Sequence, residues 1–84
     1  MATTKEDIRQ WLEEGKEKGS THMIVVLDTF DYEDYPVYVA PASSLDKKIA
    51  QYSNHNEMSR VIEVYSYKLP LEPQIEENRA WHLD

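Results

Sequence analysis

The stretch T-H-M-I-V-V-L-D, Thr21 to Asp28, decides the fold. It is rich in β-branched residues and apolar on both of its alternating faces, which is how a strand covered on both sides reads. Such a strand belongs in the middle of a sheet. P-V-Y-V-A, Pro36 to Ala40, reads as a shorter second strand that Pro36 can only begin, having no N–H to give, and that Pro41 stops. A third strand is expected over R-V-I-E-V-Y-S-Y, Arg60 to Tyr67, with Ile62 and Val64 on one face and Glu63, Tyr65 and Tyr67 on the other. One of these faces is core; the other is wet or an interface.

Helical signals flank the strands. Thr4 followed three residues later by Asp7 resembles a capping box, and Ile8, Trp11 and Leu12 recur on one helical face. Lys16 and Lys18 place positive charge in the last turn of this helix, and Gly19 can take the left-handed conformation that ends it. Ser43 or Ser44 can cap a second helix carrying Leu45, Ile49 and Tyr52 on one face, which the polar run S-N-H-N, Ser53 to Asn56, terminates. The tail from Leu69 to His82 holds a short helix begun near Pro73 with a weak apolar stripe, and its last turns are expected to be loose.

The order is therefore α-β-β-α-β-α. If strands one and two form an antiparallel pair and the second helix makes a right-handed crossover, strand three runs parallel to strand two and takes the vacant place beside strand one. The expectation is one α+β domain over residues 1–84, with a three-stranded mixed sheet in the order 2-1-3 packed with helices. Three strands leave edges, and pairing of strand three with a second copy would cover one, so a homo-oligomer is expected.

Composition narrows the partners. Nine Lys and Arg against sixteen Asp and Glu give a net charge of −7, which argues against a nucleic-acid binder that works by neutralising phosphates and favours basic or neutral partners. The chain has no Cys, so disulfides, thiolate catalysis and Cys-ligated zinc are excluded. Its longest apolar run, Met23 to Leu27, is far too short to span a membrane, and nothing resembles a signal peptide. A cytoplasmic protein without a membrane partner is expected.

Between the first two strands lies D-T-F-D-Y-E-D-Y-P, Asp28 to Pro36, which interleaves Asp28, Asp31, Glu33 and Asp34 with Phe30, Tyr32 and Tyr35. One reading is a solvated hairpin loop whose aspartates bond local N–H groups and whose rings pack back over the sheet. The other is a contact surface, because tyrosine supplies buried area at low entropic cost and carboxylates steer basic partners. A calcium loop is rejected, since Glu33 and Val39 occupy the places where an EF-hand needs Gly and a terminal Glu. His22, His55 and His82 lack ligand spacing and read as local hydrogen-bonding residues, while the helix cap explains Ser43 and Ser44 better than a nucleophile does. No metal, cofactor or catalytic residue is expected. Trp11 reads as core, whereas Trp81, beside Arg79 and His82 in a polar tail, reads equally as a partner contact or as simple docking of the tail.

Three segments, G-S-T-H-M-I-V-V-L-D-T-F-D-Y-E-D-Y-P-V-Y-V (Gly19 to Val39), R-V-I-E-V-Y (Arg60 to Tyr65) and R-A-W-H (Arg79 to His82), resemble small uncharacterised phage proteins. The resemblance covers most of the chain and brings no catalytic residue with it. It implies a viral context, in which a small protein acts by binding a host component.

Three function classes follow. A protein-binding inhibitor would use Asp28, Asp31, Tyr32, Glu33, Asp34 and Tyr35, together with Tyr65, Tyr67 and Trp81, as its partner surface. A protein sequestering a nucleotide-derived signal would need an oligomeric pocket with stacking rings and cations for phosphate, for which Arg60, Lys68 and Arg79 are available. A metal-dependent enzyme comes last, because only its carboxylates are present.

Overall fold

The computed structural model describes residues 3–53, 58–77 and 79–84. Its elements are α1 (Lys5–Glu17), β1 (His22–Asp28), β2 (Glu33–Val39), α2 (Leu45–Tyr52), β3 (Ser59–Ser66) and α3 (Leu71–Ile75). The sheet order is β2-β1-β3, with the apolar strand in the centre as its sequence requires. β3 runs in the same direction as β2, but the two never touch. Both pair antiparallel with β1, so the sheet is antiparallel and not mixed.

Local chemistry sets the helix ends. Thr4 Oγ1 accepts from Asp7 N at 3.2 Å while Asp7 Oδ2 accepts from Thr4 N at 3.0 Å, closing the capping box. At the other end Gly19 has φ +75, and Ser20 N and Gly19 N donate to the carbonyls of Gly15 and Lys16. That pattern satisfies the orphan carbonyls of the last turn, and only glycine adopts it without strain. Ser44, not Ser43, caps α2 by accepting from Lys47 N. Of the run Ser53 to Asn56 expected to end that helix, Ser53 is its C-cap and donates its N–H to Ile49 O, while Asn54 to Asn56, with His55 among them, lie outside the described residues.

β1 is sandwiched. Met23, Ile24, Val25 and Val26 are all fully buried. Met23 and Val25 join Ile8, Leu12, Tyr65, Ile75 and Ala80 under α1 and α3, whereas Ile24 and Val26 join Val64 under Leu45, Ile49 and Tyr52 of α2. A strand with polar residues on one face could not occupy this place, because burying them unpaired costs several kcal/mol each.

Two expectations about the outer strands change. β2 begins at Glu33, so Glu33, Asp34 and Tyr35 are strand residues, and Pro36 lies inside the strand opposite Val25. An edge strand tolerates this because the N–H that proline lacks need not be one that the ladder uses. In β3 the register shifts between Val25 and Val26, where Glu63 and Val61 are successive partners and Ile62 is the extra residue. The bulge breaks the alternation. Val61 and Val64 pack on the α2 side, while Ile62 packs with Tyr65 and Tyr67 on the α1 side.

The tail is tied down instead of loose. Val64 N donates to Ala80 O and His82 N donates to Val64 O, placing Ala80 to His82 alongside β3 with Trp81 as the parallel partner of Val64. Farther along, buried Gln74 accepts from Ser66 N and donates to Ser66 O, both at 2.9 Å. The edge of β3 on which the homo-oligomer expectation rested is thus met by the chain's own tail from Val64 to Ser66. The bulge interrupts it nearer Arg60, and Pro36 blunts the opposite edge on β2; both are devices that discourage pairing between sheets.

Candidate functional site

The acidic-aromatic segment divides in two. Thr29 to Tyr32 form the turn between β1 and β2, whose shape comes from Asp28. The Asp28 carboxylate accepts from Phe30 N at 2.8 Å and from Asp31 N at 3.3 Å, and Tyr32 N donates to Asp28 O at 2.6 Å. This is the local bonding expected of an aspartate opening a turn. The turn closes only because Tyr32 takes φ 57, a left-handed conformation in which glycine or asparagine is the ordinary choice.

Of the three rings that the solvated-loop reading packs back over the sheet, Tyr35 does so and Phe30 and Tyr32 do not. Phe30 is 72% exposed and Tyr32 71% exposed, with Asp31 and Glu33 exposed beside them. Met58, 54% exposed, lies at the same end because Thr29 N donates to its carbonyl at 2.8 Å. Among the described residues the exposed large hydrophobics are Phe30, Tyr32, Met58, Trp81 and Leu83, so three of five gather at one end of the sheet. Phe30 and Met58 were not among the partner residues expected from sequence. An exposed Phe inside an acidic turn was the available signal for the first; Met58 carried none, since its position depends on strand pairing.

The remaining members of the segment serve the fold. Asp34 accepts the Thr3 hydroxyl at 2.6 Å, and Tyr35 is half-buried against Tyr52, edge to face at 6.4 Å, with its hydroxyl pKa raised by that burial. Tyr65 is fully buried and donates to Glu63 at 2.9 Å. Tyr67 donates to the Leu12 carbonyl at 2.8 Å. Tyr65 and Tyr67 therefore leave the expected contact surface, because α1 and α3 cover their face of β3 and make it core. Trp81 keeps a half-exposed ring, beside β3 and away from the turn.

The expected cations do not converge. Arg60 stands near the start of β3 and Lys68 two residues past its end, with about 20 Å of strand between them. Arg79 is close enough to Glu63 to favour its charged form. Burial nevertheless holds the Glu63 carboxyl above its ordinary range, with Asp34 adding to the effect, in a cleft of about 230 Å³ lined also by Thr3, Thr4, Lys5 and Glu77. The Tyr65 hydroxyl, itself pushed well above its ordinary range by burial, satisfies that carboxylate, so the pair reads as structure. Among the described residues no group of three His, Asp or Glu side chains is arranged to hold a metal ion. His82 bonds Glu77 and His22 Nδ1 meets the Thr21 hydroxyl, while the buried His22 Nε2 has no partner among the described residues. No helix among the described residues is long and apolar enough to cross a membrane.

Compared with protein-family models, with curated proteins and with solved structures, the chain matches none.

Proposed function

We propose that this chain is a non-catalytic binding protein, phage-encoded as its resemblance implies, that acts in the host cytoplasm by engaging a host protein through the β1–β2 turn. The observation that carries the reading is the pair Phe30 and Tyr32, each more than 70% exposed, on a turn braced by Asp28 and flanked by Asp31 and Glu33. Exposing two large rings has a cost, and holding Tyr32 in a left-handed conformation adds roughly 1–2 kcal/mol. Among the described residues neither ring is buried by packing within the fold. Strain and exposed rings together mark places where a protein meets something else. The carboxylates set the sign of the partner, because a basic surface is drawn in and a phosphate polymer is repelled. Sequestration of a nucleotide-derived signal has less support, since Arg60 and Lys68 lie at opposite ends of a strand.

The test is the double variant Asp31→Asn, Glu33→Gln. Both side chains are exposed and, among the described residues, carry no hydrogen bond on which the turn depends, so the melting temperature should stay within about a degree or two of the parent. Association with the host partner should slow severalfold at low ionic strength, and its salt dependence should flatten. Unchanged association at two salt concentrations would remove the turn from the recognition surface. Asp28 and Asp34 are left intact because one builds the turn and the other holds Thr3.

A further inference from the structure

We infer that the recognition surface is composite: Met58, which precedes β3, acts together with Phe30 and Tyr32 to receive an apolar side chain of a protein partner whose surroundings are Lys and Arg. This rests on the reading that the β1–β2 turn is a binding surface, and adds to it a second chain segment and the chemistry of the occupant. Two observations point to Met58. Among the described residues only two non-glycine residues have left-handed backbone, Tyr32 at φ 57 and Met58 at φ 53, and both present exposed side chains at the same end of the sheet. The bond from Thr29 N to Met58 O at 2.8 Å fixes the two segments against each other, so their side chains belong to one surface. A long, unbranched thioether suits a contact that must adapt to its partner.

Charge selects the occupant. Asp31 and Glu33 are exposed around the apolar centre and Asp28 is half-exposed, while Arg60 is the nearby cation at the start of β3. An anionic lipid surface or a nucleic acid would bring like charge against these carboxylates. A protein surface with an apolar residue ringed by cations satisfies both parts. The edges are unsuited to strand addition, so contact is made through side chains at the tip and not through the ladder.

The experiment uses the isotope-labelled chain, titrated by NMR with a short synthetic peptide of Leu and Lys and, separately, with its Leu and Glu counterpart. The Leu and Lys peptide should shift amide signals in the turn and around Met58, and the Leu and Glu peptide should not. Met58→Gly removes the side chain while easing the left-handed backbone, so it should melt no lower than the parent yet bind about fivefold or more weakly, as should Phe30→Ser. If Phe30→Ser weakens binding and Met58→Gly does not, the turn alone recognises the peptide and the composite surface is wrong. If neither does, or if the shifts lie elsewhere, both this inference and the reading beneath it fall. Equal binding of the two peptides would overturn the charge selection.

Discussion

Val25→Asp is expected to leave no folded protein at ambient temperature. Val25 is fully buried at the centre of β1, in the cluster that includes Ile8, Leu12, Met23 and Tyr65. Its cross-strand neighbours are Pro36 and Glu63, so the ionisable group directly opposite it is another carboxylate, itself held above its ordinary range by burial. An unpaired charge in such a layer costs several kcal/mol. The whole stability of an 84-residue domain is of the order of 4–13 kcal/mol, so the substitution removes most or all of it. Circular dichroism should show no cooperative melting transition. A transition within a few degrees of the parent would mean that β1 is not the central strand.

Gly15→Ala is the second large effect, and its sign runs against helix propensity. In an open helix the change should stabilise by about 1 kcal/mol. Here a Cβ at position 15 would overlap the Tyr67 hydroxyl and stand 2.7 and 2.8 Å from Cδ1 and Cε1 of Tyr38. Neither ring can retreat freely. Tyr67 donates to the Leu12 carbonyl and Tyr38 to the Trp11 carbonyl at 2.9 Å, and Lys18 Nζ lies 4.6 Å from the centre of the Tyr38 ring. Overpacking of this kind costs roughly 1–3 kcal/mol, and a broken tyrosine bond about another 1 kcal/mol. The net loss of about 2 kcal/mol should lower the melting temperature by roughly 10 °C. Adding Tyr67→Phe removes the clashing oxygen, so the double variant should recover part of the loss; a single variant that melts higher than the parent would show that α1 does not lie this close to the sheet.

These two sites show what the sequence made legible. Val25 could be placed from pattern alone, because a run that is apolar on both faces has only one comfortable position in a three-stranded sheet, and the strand order obtained from the crossover argument agrees with it. Gly15 could not. Its role depends on Tyr38 arriving from β2 and Tyr67 from the residue after β3, and nothing in the sequence around it reports them. The same distinction separates the members of the candidate site. Phe30 and Tyr32 stand in a turn that Asp28 writes locally, so their neighbourhood could be read in advance. Tyr65 and Tyr67 keep the face that alternation gives them, opposite Val64; what no local pattern reports is that α1 and α3 cover that face, and the bulge moves only Ile62 onto it. Met58 reaches the turn only through the pairing of β1 with β3. The tail was read as loose because its helical stripe is weak, whereas it is held by a few main-chain bonds and by Gln74, whose amide fits two carbonyls and an N–H that only the folded chain brings together.

The most direct test of recognition through the turn is photo-crosslinking in the host cell, with p-benzoylphenylalanine in place of Phe30 and, in a separate chain, in place of Gln10 on the exposed face of α1. The expected result is a discrete adduct from position 30 that fades when Asp31→Asn and Glu33→Gln are also present, and none from position 10. Adducts of the same pattern from both positions, or from position 10 alone, would contradict it.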